Sequence, residues 1–113
     1  MKIALITLLT VCVKMLASEV DANKIADAIY IIEGGKSTKY PYGVKSVATK
    51  GNTAKARKIC INTIRNTHKR WLAENKPYNF LDYLADRYCP PNADRVGNVR
   101  WRVNIRKYVS IKS

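Results

Sequence analysis

Breaker residues divide this chain more firmly than any one stretch of it defines a fold. Gly34-Gly35, Pro77 and Cys89-Pro90-Pro91 mark expected helix ends. Glycine favours the left-handed helix terminus, and proline lacks the amide hydrogen that a helix interior needs. Between the breakers the period is helical. Ala22, Ile25, Ala26, Ile29 and Ile32 recur at steps of three and four, which makes one stripe on a helix. Ser18 with Asp21 three residues on gives that helix a capping signal. A second helix is predicted over 53–74, with Ala56, Ile59, Cys60, Thr63, Ile64, Thr67 and Trp71 turned inward. Asn79 then caps a short third helix that buries Phe80, Leu81, Leu84 and Tyr88. The final segment fits two patterns. Val99, Trp101, Val103 and Ile105 alternate as in a strand, whereas Trp101, Ile105, Tyr108 and Val109 share a helical stripe. A strand needs partners, and the rest of the chain offers few, so helix is the choice. Residues 36–52 read as an irregular loop with a short β-like piece around 42–47. The expectation is an all-α fold in a single domain, since 113 residues leave no room for a separate cofactor domain.

The first segment bears on compartment. Lys2 precedes an apolar run from Ile3 to Val13, and a small residue follows at Ala17. These are the marks of a secretory signal peptide. The run is shorter than the roughly 20 residues of a membrane span. The expected division is a signal peptide over 1–17 and a folded domain over 18–113, exported to a periplasmic or extracellular, wall-associated location. A buried N-terminal helix is the alternative. Lys14 within the segment and Met15 three residues before the expected cut depart from the usual pattern.

Lysine and arginine number 21 against 8 acids, a formal charge of +13. At 47% apolar residues the chain is not a disordered basic tail. Loss of 1–17 removes Lys2, Lys14 and no acid, lowering the charge to +11. A polyanionic partner follows: nucleic acid, an anionic membrane surface or a cell-wall polymer. Removal of Cys12 leaves Cys60 and Cys89, and an even pair in a small exported domain predicts one disulfide. Two buried free thiols are the alternative. Two cysteines and the lone His68 have no ligand spacing, so neither a metal nor a cofactor is expected.

Glu33 stands out among the acids. Steps of four from Ile25 and Ile29 put it at the edge of the apolar stripe, in the last helical turn. Desolvation, the negative end of the helix dipole and apolar neighbours there favour a protonated carboxyl. Gly34 and Gly35 would let a bulky ligand approach it. A carboxylic acid that keeps its proton is what glycosidic-bond cleavage needs. The plain alternative is a glutamate at a frayed helix end.

The stretch Ala28-Ile29-Tyr30-Ile31-Ile32-Glu33-Gly34-Gly35, with Tyr40-Pro41-Tyr42-Gly43-Val44-Lys45-Ser46 after it, resembles the lysozyme-like superfamily, in particular goose-type lysozymes and soluble lytic transglycosylases. The resemblance implies a small lysozyme-like helical domain that cleaves the MurNAc-GlcNAc β-1,4 bond of peptidoglycan, with Glu33 as general acid and base. It makes Tyr42, Gly43 and Ser46 part of a cleft motif in which Lys45 replaces the usual glutamine. Leu84 to Ala93 resembles a later tyrosine–asparagine motif. Tyr88 matches there, Cys89 and Pro90 depart from it, and Asn92 supplies a shifted amide. Substrate contacts are accordingly expected from Tyr42, Gly43, Ser46, Tyr88 and Asn92. A second acid would have to come from Asp82, Asp86 or Asp94, and a single-glutamate mechanism is favoured.

Trp71, Phe80, Tyr83 and Tyr108 read as core, Tyr40 and Tyr42 as saccharide contacts, and His68 as a solvated residue on a polar helix edge. Arg95, Arg100, Arg102, Arg106 and Lys107 form a basic end, either a solvated face or an attractor of anionic polymer. Peptidoglycan strands are the expected partner of a monomer with no membrane span after processing. Two other classes compete: a non-catalytic wall binder of the same fold, and an exported nucleic-acid binder. The second is disfavoured because no helix-turn-helix turn is visible and exported proteins rarely meet DNA.

Overall fold

The computed structural model describes residues 20–46 and 52–111; the signal-peptide reading, Ser18 and Val47 lie outside them. Four helices carry the described fold: α1 (Ala22–Ile32), α2 (Thr53–Ala73), α3 (Phe80–Tyr88) and α4 (Arg95–Ile111). The fold is all-α, and no strand occurs among the described residues.

Local chemistry sets the helix ends. Asp21 caps α1 by accepting the Lys24 N–H, and Asn52 does the same for α2 through Lys55. Asn79 accepts from Leu81 and Asp82 at the start of α3. Asp94 accepts the Gly97 N–H at 2.8 Å ahead of α4. Each cap satisfies amides that the first turn leaves without a partner. Gly34, at φ 109°, ends α1 in the left-handed region as its position after the stripe predicts.

The first helix lies between α2 and α4, and α3 packs against both of those. Alanines at 22, 26 and 28 are buried on α1 and keep its neighbours close. Ile29, Ile64, Leu84 and Ile105, one from each helix, are fully enclosed. Truncating any of them to alanine removes buried methyl groups, at a cost of about 2–5 kcal/mol. No described helix is long and apolar enough to cross a membrane.

Three expectations are corrected. The β-like piece after α1 is instead a pair of single helical turns, Gly35–Ser37 and Pro41–Gly43. Pro41 starts the second turn, and Tyr42 (φ 62°) and Gly43 (φ 72°) both take left-handed backbone, which a strand does not allow. His68 is buried, not solvated. Its ring meets Phe80 edge-on at 5.0 Å and Trp71 at 5.4 Å. Cys60 and Cys89 are free thiols, not a disulfide. Cys60 points instead to Tyr88, with its Sγ 3.4 Å from the hydroxyl.

Candidate active site

The last turn of α1, the Pro41–Gly43 turn and the first half of α4 converge on Glu33. Its backbone N–H bonds the Ile29 carbonyl, which makes Glu33 the residue that closes α1. Its carboxyl is gripped from two sides. Trp101 of α4 donates its indole N–H to Oε2 at 3.2 Å. Gly43 lies over the other oxygen: a Cβ at Gly43 would stand 2.5 Å from Oε1 and 3.1 Å from Cδ. The Gly43 position therefore admits no side chain while the carboxyl stays where it is.

No other described acid is held this way. Asp21 and Asp94 cap helices. Asp27 pairs with Arg57 at 2.8 Å, Asp86 with Arg102 at 2.7 Å and Asp82 with Arg106 at 2.6 Å. Glu74 accepts the Tyr83 hydroxyl at 2.8 Å. Glu33 alone is half-buried with no ion pair among the described residues, in a chain where cations outnumber acids by 21 to 8.

Trp101 is positioned in turn by Tyr88, whose ring stacks on the indole with centroids 5.2 Å apart and planes 14° from parallel. Burial, then Cys60, then the charge of Glu33 push the Tyr88 phenol far above its ordinary range. The phenol therefore stays neutral. The Cys60 thiol is raised by burial, against the opposing Tyr88 contact and the Arg57 charge. On the opposite side, Tyr42 is buried and its ring meets Tyr30 at 5.1 Å. The Arg57 guanidinium donates to the Tyr42 hydroxyl at 3.1 Å and to Asp27 at 2.8 Å, tying the turn to α1 and α2.

Of the expected site residues, Glu33, Tyr42, Gly43 and Tyr88 come together around one carboxyl, Tyr88 through Trp101. Ser46 and Asn92 lie exposed in their connections, and Lys45 is exposed beside Ser46. Trp101 and Arg57 were not anticipated. Trp101 satisfies a helical and a strand stripe equally well and so reads as core. Arg57 carries no pattern beyond the charge it shares with 20 other side chains. The three candidates for a second acid are all engaged at caps or ion pairs, as above. Among the described residues no group of three His, Cys, Asp or Glu side chains has metal-holding geometry.

No protein family, curated protein or solved structure matches the chain.

Proposed function

We propose that the domain cleaves the glycan strands of peptidoglycan at the MurNAc-GlcNAc β-1,4 bond, with Glu33 as general acid and then base. The observation that carries this reading is the state of the Glu33 carboxyl. It is half-buried, free of any ion pair among the described residues, held at Oε2 by the Trp101 indole and, at Oε1, set in space that a side chain at Gly43 would invade. A carboxyl in that setting can deliver a proton to a glycosidic oxygen and take one back.

The engagement of Asp82, Asp86 and Asp94 away from Glu33 favours a one-carboxylate route. Glu33 donates its proton to the leaving oxygen as the glycosidic bond breaks. The resulting carboxylate then removes the proton of the substrate's own 6-hydroxyl, which attacks the anomeric carbon and closes an anhydro ring. No water is consumed. The two carboxyl groups of a hydrolytic pair stand roughly 5–9.5 Å apart, and that pattern needs a second free acid. Tyr42 and Tyr88 shape the site, with the Tyr88 phenol neutral throughout. Export to the cell wall is part of the proposal and rests on residues 1–17 alone, since free thiols at Cys60 and Cys89 lend no support to an oxidising compartment.

A peptidoglycan zymogram with wild type and Glu33→Gln is the test. Clearing by wild type alone is expected, with anhydro ends on the released muropeptides by mass spectrometry. Clearing by both proteins removes Glu33 from the chemistry. Clearing by neither, with wall binding retained, turns the reading to a non-catalytic wall binder.

A further inference from the structure

We propose that the outer face of α4 docks on an anionic lipid bilayer. Val96, Val99 and Val103 are 67%, 57% and 60% exposed, on a helix whose opposite side carries Trp101 and Ile105 into the core. Their spacing of three and four residues aligns them on one stripe. With Trp101 and Ile105 already supplying the core, packing within the domain does not account for three valines facing outward.

Cations edge the stripe on both sides. At about 100° per residue, Arg100 and Lys107 fall beside one margin, and Arg95 and Arg106 beside the other. Arg106 is tied to Asp82. Arg95 and Arg100 have no ion pair among the described residues, and the Lys107 ammonium leans over the Tyr108 ring at 5.5 Å. No acid occurs anywhere in 95–111. Apolar side chains flanked by long cationic ones suit a helix lying in the plane of a bilayer interface. The valines enter the acyl boundary while the arginine and lysine stems lie alongside and their heads reach phosphates. The net charge of +13 acts in the same direction.

Other occupants fit less well. A second copy would bring identical cations against each other across a two-fold contact. Nucleic acid would engage the cations and leave three valines without a role.

Flotation of the full chain with vesicles tests the proposal at physiological salt. Phosphatidylglycerol mixed into phosphatidylcholine is compared with phosphatidylcholine alone. The variant V96Q/V99Q/V103Q keeps every charge, and its sites are exposed, so circular dichroism should show an unchanged fold. The expected result is preference of wild type for anionic vesicles, a loss of about tenfold or more in the glutamine variant, and loss of lipid preference in R95Q/R100Q/K107Q. Equal vesicle binding by wild type and the valine variant overturns the proposal. So does concentration-dependent dimerisation that the valine variant abolishes, or binding to duplex DNA with none to vesicles. Glu33→Gln is expected to float with vesicles as wild type does, so failure of the glycan-cleavage reading leaves this one separately measurable.

Discussion

Trp101 donates its indole N–H to Glu33 Oε2 across a sequence separation of 68 residues, and this bond joins the end of α1 to α4. Trp101→Phe removes the donor while keeping a ring to stack on Tyr88. It leaves a half-buried carboxyl oxygen without its partner, so unfolding free energy should fall by about 1–2 kcal/mol in urea titration. Glycan clearing should fall further, by about tenfold to a hundredfold, because a carboxyl released from its orientation loses reactive geometry. Unchanged clearing would show that the indole does not orient the acid.

The contact between Gly43 and Glu33 makes a second prediction. Gly43→Ala places a methyl 2.5 Å from Oε1, too close to be accommodated, and forces alanine into φ 72°. The left-handed backbone alone costs about 1–2 kcal/mol. Displacement of the carboxyl adds to that cost only while Glu33 is present. The Gly43→Ala penalty should therefore be smaller in a Glu33→Ala background, with a coupling of about 0.5–3 kcal/mol in a double-mutant cycle. Strict additivity would show that the two side chains do not compete for this space.

Much of the helical pattern was legible from local chemistry: Gly34, Pro77 and the Asn79 cap. Glu33 was legible for a related reason, since four-residue steps put it on the stripe just ahead of two glycines. What joins those pieces was not legible. The Trp101 contact spans 68 residues, and an indole that binds a carboxyl has the same helical spacing as one that fills a core. His68 looked solvated between Thr67 and Lys69. Yet it stands four residues after Ile64, three before Trp71, and Phe80 folds back over it from another helix. The disulfide expectation counted cysteines and had no means of weighing where their side chains point.

His68 is the single histidine of the chain. Burial first, and the Lys76 charge second, lower its pKa from the ordinary 6.5. As pH falls through 6.5, the unfolded chain takes up a proton that the folded protein resists. Stability is therefore fully present above that pH and declines below it. Urea midpoints measured from pH 7.5 to pH 5 should show the decline, and His68→Asn should flatten it over that window. The ring resonances in wild type should titrate below 6.5. A midpoint at or above that value would refute the burial argument.

Free thiols at Cys60 and Cys89 can be counted directly. Without reductant, alkylation after denaturation should label both. In the native protein Cys60 should react far more slowly, being buried against Tyr88. Burial raises the Cys89 thiol as well, followed by the Asp94 and Glu33 charges. Less thiolate is therefore present at a given pH, and its alkylation rate should rise at higher pH than that of an unhindered peptide thiol. A mass two hydrogens low with neither residue labelled would establish the disulfide and break the Cys60–Tyr88 contact.

Arg57 holds the turn that carries Gly43. Its guanidinium reaches Tyr42, Asp27 and Asn23, yet the Asp27 pair is partly exposed, with side chains 31% and 45% accessible. Such a pair contributes about 0–1 kcal/mol, so Arg57→Ala should lower global stability only slightly. The local effect should be larger, because the guanidinium is the donor that holds the Tyr42 hydroxyl while Tyr42 sits at φ 62°. Lysine brings a single ammonium and cannot span all these acceptors from one planar group. Arg57→Lys should therefore fall between wild type and alanine. The measurement is limited chymotrypsin cleavage after Tyr42, the Tyr40–Pro41 bond being resistant, alongside glycan clearing. Cleavage should rise and clearing should fall in the order wild type, lysine, alanine, with urea midpoints nearly constant. If clearing instead follows the midpoints and cleavage does not change, Arg57 acts on the whole fold and not on the turn.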